Sequence, residues 1–267
     1  MPVHISSLEN PKVKELRSLC RRQVRYRERL FLIEGTRLVE EAIAAGLPLH
    51  LVLYVPELLQ GTERGEALLA RFSASPQSFP TTPQILERVA DTVTPQGVVA
   101  AVPFPELPPD PGNLVLVLDR IRDPGNCGAI LRTAEAAGVR MVYLAPGTVD
   151  PFNPKVVRAG MGAHFRLPLR TSGWEEITAA LTGLQVLLAE ATGGRRYDSV
   201  DWCLPTALIV GGEAEGAGQR AQAIAVAITI PMAGAAESLN VAIATGILLF
   251  EALRQRGVRA QQGLGPW

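Results

Sequence analysis

The second half of the chain contains short apolar runs that do not alternate with polar residues. Strands buried on both faces have this pattern, whereas strands with one solvated face alternate. Segments with helical spacing separate the runs, which is typical of an open parallel sheet with helices on both faces. The predicted fold class is therefore α/β. The predicted strands are 114–119, 141–145, 185–190, 207–212 and 227–230, and the predicted helices are 127–137, 153–160, 174–182, 218–224 and 238–256.

The first hundred residues follow a second, smaller α/β pattern. Five prolines within 103–112 then exclude a helix or a central strand, and such a segment behaves as a stiff spacer. We therefore predict an α/β domain over 1–102, a linker over 103–112 and a second domain over 113–267. In the first domain the predicted helices are 11–28, 36–46, 63–72 and 83–90, and the predicted strands are 31–35, 50–55, 78–79 and 97–102.

Composition narrows the class of protein. Apolar residues make up 47% of the chain, as in globular proteins. The N-terminal segment is polar and basic, unlike a signal peptide, and the apolar run 241–250 is too short to span a bilayer. Three scattered cysteines and three lone histidines favour reduced thiols over disulfides or a metal site. We expect a cytoplasmic protein without a membrane partner or a metal.

Charge is unevenly distributed although the chain as a whole carries none. Residues 12–29 include eight Lys and Arg against two Glu, a local net charge of +6. Such a segment is a plausible footprint for a phosphate backbone; the alternative is an ordinary solvated helix face. The predicted RNA contacts in this segment are Lys12, Lys14, Arg21, Arg22 and Arg25.

Three polar stretches follow predicted strands and should gather at one edge of the sheet, where ligands of open α/β sheets bind. They are DRIRDPGNCGAILR (119–132), GGEAEGAG (211–218) and PMAGAAESLN (231–240). The glycine-rich stretch allows a close backbone approach to a ligand. It matches neither the dinucleotide fingerprint nor the P-loop, which argues against a dehydrogenase.

Each polar residue in these stretches also has a structural interpretation. Asn126 suits the N-cap of helix 127–137, and Ser238 suits the N-cap of the last helix. Glu213 could cap a helix as easily as act in catalysis. Arg132, about 9 Å further along its helix than Asn126, could lie on an exposed face. Asn240 lies at the head of a helix that is otherwise apolar, so we expect it to face the cleft.

Taken together, the motifs are more specific. DPGNCGAILRTAEAAG, IVGGEAEG and IPMAGAAESLNVAIATGILLFEA, in this order, resemble the SpoU/TrmH family of RNA ribose 2′-O-methyltransferases, part of the SPOUT superfamily. The segment 5–42 resembles the substrate-binding N-terminal extension of many members. The resemblance thus covers nearly the whole chain.

The resemblance implies a trefoil-knotted second domain, a homodimer, and S-adenosylmethionine held largely by backbone groups. Methyl transfer from a sulfonium requires no metal, because the electrophile is already activated. The implied catalytic residues are Asn126, Arg132, Glu213, Ser238 and Asn240; the implied cofactor-binding residues are Ala189, Gly211, Ile230, Met232 and Leu239. Lys155 and Arg158 are candidate RNA contacts, although an ordinary solvated helix face explains them equally well.

The role of Arg132 follows from its chemistry. The very high pKa of an arginine conflicts with a role as general base. We expect a charged Arg132 to bind the adjacent phosphate and stabilise the developing alkoxide.

Several substrates and roles fit the sequence. The basic segment and the accessory domain favour a large structured RNA, and 23S ribosomal RNA is the first expectation. A transfer RNA 2′-O-methyltransferase and a non-catalytic RNA-binding ribosome-assembly factor are the alternatives.

Overall fold

The computed structural model describes residues 4–90, 95–108, 112–213 and 215–261, with side chains described as far as 257. The chain divides into two compact units. The first comprises Met1–Glu106 and Phe152–Phe165; the second comprises Leu107–Pro151 and Arg166–Trp267. The predicted domain limits stay a prediction. Residues 152–165 lie in the predicted second domain but pack with the first unit. Residues 109–111 of the predicted linker lie outside the described residues.

The first unit is built on a mixed four-stranded sheet of order β1-β4-β2-β3. Strand alternation divides its apolar residues between two cores: Phe31 and Ile33 of β1 enter one, and Leu32 between them enters the other. Helices cover both faces. The strands are Leu30–Glu34 (β1), Leu51–Tyr54 (β2), Ser78–Pro80 (β3) and Val98–Pro103 (β4), and the helices are Pro11–Ser18 (α1), Arg22–Glu28 (α2), Thr36–Ala44 (α3), Pro56–Leu59 (α4), Glu63–Ser73 (α5), Pro83–Ala90 (α6) and Pro154–Gly160 (α8).

The basic segment forms two helices, so the prediction of one helix over 11–28 is wrong. Arg25 of α2 donates to the carbonyl oxygens of Leu19 and Cys20, at 2.7 and 2.8 Å, just beyond the end of α1. These bonds satisfy carbonyls that a continuous helix would have paired internally. Charge counting along the sequence does not reveal this use of an arginine.

The second unit contains a seven-stranded sheet of order β7-β6-β5-β10-β8-β11-β9. Every pairing in it is parallel, so the predicted α/β class with a parallel sheet is confirmed. The strands are Leu114–Asp119 (β5), Met141–Leu144 (β6), Leu169–Thr171 (β7), Gln185–Ala189 (β8), Arg195–Arg196 (β9), Thr206–Gly211 (β10) and Val226–Thr229 (β11), and the helices are Pro124–Ala136 (α7), Trp174–Ala180 (α9), Gln219–Ile224 (α10) and Val241–Gln261 (α11).

Helices cover both faces of this sheet. α9 and α10 contribute Ile177 and Ala221 to the core on one face, against Val117 and Ile209 of the central strands. The long α11 contacts α7 and β10. No helix within the described ranges is long and apolar enough to cross a membrane. The edge strands β7 and β9 were not predicted; Arg195–Arg196 is exposed and has no apolar pattern that would identify it.

Two helix starts differ from the prediction. α7 begins at Pro124 and is capped by Asp123, whose carboxylate accepts from the Asn126 N–H at 2.7 Å; Asn126 therefore lies in the first turn and is not the N-cap. α11 begins at Val241, so Ser238 is not its N-cap. The Oδ1 of Asn240 instead accepts from the N–H groups of Ala242 and Ile243, at 2.9 and 3.3 Å.

Candidate active site

The ends of two neighbouring central strands position the site. β5 and β10 are adjacent and parallel, and their last residues, Asp119 and Gly211, lie opposite each other. The chain continues from β5 to β6 on one side, whereas β11, which follows β10, lies on the other side. A crevice therefore opens beyond these strand ends, where open α/β sheets bind ligands. Asn126 follows β5, and Glu213 follows β10.

Three of the predicted catalytic side chains form one hydrogen-bonded chain in this crevice. The Asn126 amide Nδ2 donates to Glu213 Oε1 at 2.5 Å. The Asn126 Oδ1 accepts from Asn240 Nδ2 at 3.0 Å. Residues that are 87 and 114 positions apart in sequence are thus joined through Asn126.

The direction of every bond in this chain follows from the helix that Asn240 caps. Because the Oδ1 of Asn240 accepts backbone N–H bonds of α11, its Nδ2 must be the group that faces Asn126. The oxygen of Asn126 must then face Asn240, which leaves its Nδ2 for Glu213. The Glu213 carboxylate is thereby linked to the positive end of the α11 dipole. Asn126 retains one amide hydrogen for a ligand.

Cys127, next to Asn126 on α7, is buried and unreactive. Burial raises the pKa of its thiol to about 12, with the carboxylates of Asp150, Asp123 and Glu213 adding to the effect. The thiol stays protonated at neutral pH and cannot act as a thiolate nucleophile.

The larger of two neighbouring cavities in the crevice measures about 550 Å³. All five predicted cofactor-binding residues line it, together with Ser238 and Asn240. Every charged side chain among the described residues in its lining is a glutamate: Glu190, Glu213 or Glu237. Their charge suits a cationic ligand, and the apolar and backbone surface between them suits its uncharged parts. The predicted residues are Ala189, Gly211, Ile230, Met232 and Leu239.

The glycine-rich loop that borders this cavity requires glycine for close packing. A Cβ at Gly211 would lie 2.3 Å from the backbone nitrogen of Ala217, since the loop turns back on its own strand. Gly216 has a φ of +63°, and a Cβ there would meet no atom within 4 Å. Gly216 lines the cavity, so ligand space begins directly at the backbone.

The smaller cavity, of about 340 Å³, shares Gly212 and Glu213 with the larger one. It is also lined by Asn126, so the hydrogen-bonded chain separates the two cavities. Its lining includes two arginines that the sequence reasoning missed, because their location depends on a loop far along the chain. The remaining lining residues are Arg120, Arg122, Asp123 and Glu215.

Arg132, the predicted centre of the chemistry, lines neither cavity. Its side chain is exposed and makes no hydrogen bond or ion pair with any residue in the described ranges. It lies six positions beyond Asn126 on α7, so at 3.6 residues per turn it projects from a different side of the helix.

The predicted RNA contacts of the first unit differ in how available they are. Arg25 is buried, with 2% of its surface exposed, and it bonds the backbone, so its assignment as an RNA contact is wrong. Lys12 lies over the Phe79 ring at 4.3 Å, and Arg22 over the Tyr26 ring at 5.3 Å. Arg21 is exposed.

The other lysines and arginines of this set have acidic neighbours or open surroundings. Lys14 pairs with Glu9 at 2.5 Å. On α8, Arg158 lies 3.7 Å from Glu34, a distance typical of a loose ion pair, and Lys155 is exposed. Their roles toward RNA stay predictions, as do the roles of the residues around the cavities.

Comparisons with known proteins agree with this geometry. Residues 113–250 match the SpoU rRNA Methylase family, and residues 10–100 match the MRM3-like substrate binding domain. The 23S rRNA (guanosine(2553)-2′-O)-methyltransferase RlmP of Bacillus subtilis is 35% identical over 92% of this chain and 97% of its own length.

Solved structures cover both units of the chain. An AdoMet-bound rRNA methyltransferase from Sinorhizobium meliloti has a TM-score of 0.81 and 34% identity, covering 94% of this chain and 97% of its own. The SpoU methyltransferase AviRb from Streptomyces viridochromogenes, in complex with AdoMet, has a TM-score of 0.80 and 29% identity, with coverages of 93% and 98%.

These matches confirm the predicted family and the assignment to RNA methyltransferases. The cofactor predicted from the sequence is the one that both neighbours carry. With a family model over more than half of its residues and full-length relatives on both units, the chain belongs to the SpoU rRNA methylase family.

Proposed function

We propose that the protein transfers the methyl group of S-adenosylmethionine to a ribose 2′-hydroxyl of ribosomal RNA, with 23S RNA as the substrate. The observation that carries this proposal is the hydrogen-bonded chain of Glu213, Asn126 and Asn240 between the two cavities. This chain places a fixed polar group between a methyl donor bound in the larger cavity and a hydroxyl acceptor bound in the smaller cavity. Methyl transfer requires that arrangement, because the reacting atoms must be held in line.

The larger cavity fits S-adenosylmethionine by its charge and its surface. The cofactor supplies a methyl group on a positively charged sulfonium and also carries an ammonium group. Three glutamates are the charged side chains in the described lining, and opposite charge favours binding of a cation. Gly211, Ile230 and Leu239 would hold it with Ala189 and Met232, mainly through backbone and apolar contacts.

Asn126 is the side chain best placed to act on the ribose. Its remaining amide hydrogen donates to the 2′-oxygen, and this bond strengthens as negative charge develops there. As the O–CH3 bond forms and the S–CH3 bond breaks, the 2′-hydroxyl proton passes to the adjacent RNA phosphate or to another acceptor beside it. Glu213 and Asn240 are positioning residues that hold the Asn126 amide in one orientation. Ser238 lines the cofactor side and completes the polar edge.

A homodimer is part of the proposal. Ile243, Phe250 and Leu253 of α11 are 57%, 49% and 41% exposed, and their spacing places them on one side of the helix. A second copy would cover this apolar face. Arg132 is exposed and unpaired within the described residues, so it remains available to bind an RNA phosphate at a site completed by the second copy.

The substrate assignment rests on the first unit and on the relatives. Arg21 and Arg22 of the first unit are exposed on a basic segment, which favours contact with RNA phosphates. RlmP is named for a 23S ribosomal nucleotide, and the match to a substrate binding domain covers residues 10–100.

The test is transfer of labelled methyl from S-adenosylmethionine to 23S, 16S and transfer RNA transcribed in vitro. The 2′-O-methylated linkage would be mapped by its resistance to alkali. We expect label in 23S RNA, formed about 10²- to 10³-fold more slowly with Asn126→Ala. Label in transfer RNA alone would mean that transfer RNA, and not 23S RNA, is the substrate. Cofactor binding without label in any RNA would overturn the proposed reaction.

A further inference from the structure

Arg120 occupies a space formed by glycines from two loops: Gly147 follows β6, and Gly212 and Gly218 lie in the glycine-rich loop after β10. A Cβ at Gly212 would lie 2.3 Å from the Arg120 carbonyl oxygen, and a Cβ at Gly218 would lie 2.8 Å from its Nη2. A Cβ at Gly147 would lie 3.3 Å from the Arg120 Cγ. Any other residue at Gly212 would displace the arginine's backbone, and side chains at the other two would crowd it. The arginine is therefore held in place at the edge of the smaller cavity.

The backbone of Arg120 is also in an unusual conformation. Its φ is +60°, a region in which residues other than glycine are uncommon. The preceding residue, Asp119, is 1% exposed, and its Oδ2 accepts from the Gly218 N–H at 2.6 Å. This bond ties the end of β5 to the glycine-rich loop. The local fold thus maintains a left-handed residue that carries a guanidinium beside Asn126 and Glu213.

A single carboxylate faces both arginines of the smaller cavity. Glu215 Oε1 lies 3.0 Å from Arg122 Nη2, and Glu215 Oε2 lies 3.4 Å from Arg120 Nη1. All three side chains are between 39% and 63% exposed. Exposed ion pairs are weak, so an anion that binds both guanidinium groups can displace the carboxylate.

We propose that Arg120 and Arg122 form a binding site for the RNA phosphate next to the target ribose, and that Glu215 occupies it in the absence of RNA. This inference rests on the proposed function, since it places the RNA on the arginine side of Asn126. Guanidinium groups suit phosphate because they present paired donors in a plane. The target ribose then lies against Asn126, opposite the larger cavity.

The test compares Arg120→Gly and Arg122→Ala with wild type in binding a 23S RNA transcript, measured by filter retention over a series of salt concentrations. Glycine tolerates the φ of position 120, so that variant removes the guanidinium without adding backbone strain. Each variant should weaken RNA binding about tenfold and reduce the slope of log K against log salt by about 0.7 to 0.9, the loss of one phosphate contact. Calorimetric affinity for S-adenosylmethionine should stay within twofold.

Two further variants make the test specific. Arg220→Ala removes an exposed arginine of the same unit that has no partner among the described residues, and it should leave the salt slope unchanged. Glu215→Gln removes the competing carboxylate and should tighten RNA binding a few-fold. Weaker binding by Glu215→Gln would contradict the displacement of Glu215 by phosphate.

The outcomes separate this inference from the proposed function. Unchanged RNA affinity and salt slope in both arginine variants would overturn the phosphate site even if methyl transfer proceeds. Changed slopes with no methyl transfer by wild type to any RNA would support the phosphate site and overturn the proposed reaction.

Discussion

The two cavities of the second unit share a wall, which is the hydrogen-bonded chain of Glu213, Asn126 and Asn240. They differ in the charged side chains that line them. In the larger one, the charged side chains among the described residues are the glutamates at 190, 213 and 237. The smaller one carries Arg120 and Arg122 beside its acids. Glu213 belongs to both linings, and Asn126 lies on the smaller side. The larger cavity therefore favours a cation, whereas the smaller one, with two arginines against three acids, offers guanidinium groups to an anion that displaces a carboxylate.

This difference shows how a neutral chain can bring together two ligands of opposite charge. S-adenosylmethionine is cationic at its reacting atom, and RNA is a polyanion. A single uniformly charged cleft would disfavour one of them. In the proposed arrangement, this difference between the linings lets each ligand approach from its own side.

The largest expected effect comes from the residue in the wall. Asn126→Ala removes the donor that we place against the 2′-oxygen, and loss of one such donor lowers kcat by about 10²- to 10³-fold. Steady-state kinetics with the 23S transcript measures this, alongside calorimetry with S-adenosylmethionine. The affinity for the cofactor should change less than twofold, since Asn126 does not line the larger cavity. An equal loss of cofactor affinity would mean that the wall is structural only.

The next effect tests the larger cavity by itself. Gly211→Val places a Cβ 2.3 Å from the backbone nitrogen of Ala217, so the glycine-rich loop must shift. We expect S-adenosylmethionine affinity to fall at least tenfold, and overpacking to lower the free energy of unfolding by about 1–3 kcal/mol. Calorimetry and thermal unfolding measure the two quantities.

The control for this change is Gly173→Ala, where an added Cβ meets nothing within 4 Å. It should leave cofactor affinity unchanged. If Gly211→Val bound the cofactor as wild type does, the loop would not border the cofactor site.

A third effect separates structural arginines from available ones in the first unit. Arg25→Ala leaves the carbonyls of Leu19 and Cys20 without their donor, at a cost of about 1–3 kcal/mol in unfolding free energy. Arg21→Ala should change that free energy by less than about 0.5 kcal/mol and weaken RNA binding. Urea unfolding and filter retention measure the pair. Equal stabilities would contradict the structural role of Arg25.

The smallest effect concerns how the free energy of unfolding depends on pH through the buried thiol of Cys127, the residue next to Asn126. The pKa of Cys127 rises from 9.0 to about 12 on folding. Between these values the unfolded thiol has lost its proton and the folded thiol has kept it, so stability falls as pH rises. The contribution is at most about 1.4 kcal/mol per pH unit.

The pH effect is read from the difference in unfolding free energy between wild type and Cys127→Ala from pH 8.5 to 10.5. Other groups titrate equally in both proteins, so the difference isolates the thiol. A difference that does not change with pH would place the Cys127 thiol in contact with water.

The sequence predicted which polar residues lie together at one edge of the sheet; their roles in catalysis stay predictions. The stretches that carry Asn126, Glu213 and Asn240 each follow a parallel strand, so the pattern places them at one edge, and the resemblance selects these residues within them. The sequence does not identify the arginines at 120 and 122, because their setting depends on Glu215, 95 residues beyond the first of them, and on glycines from two other loops. The local spacing of residues along the chain does not indicate that these distant groups lie side by side in the fold.

The errors have a related cause. Composition predicts surface charge at Arg25 because it does not distinguish a solvated guanidinium from one that binds the carbonyls at the end of a neighbouring helix. Asn126 and Ser238 were placed as caps because Asn and Ser favour that position, yet Asp123 and Asn240 occupy it. The knotted path and the homodimer, which the resemblance implies, stay predictions.

The most direct test of the account is a crystal structure of the protein with S-adenosylhomocysteine and a short RNA bearing the target ribose. We expect the cofactor sulfur in the cavity lined by Gly211 and Leu239, and the ribose 2′-oxygen within hydrogen-bond distance of Asn126. We also expect an RNA phosphate on Arg122. A cofactor in the smaller cavity, or a ribose remote from Asn126, would contradict these expectations.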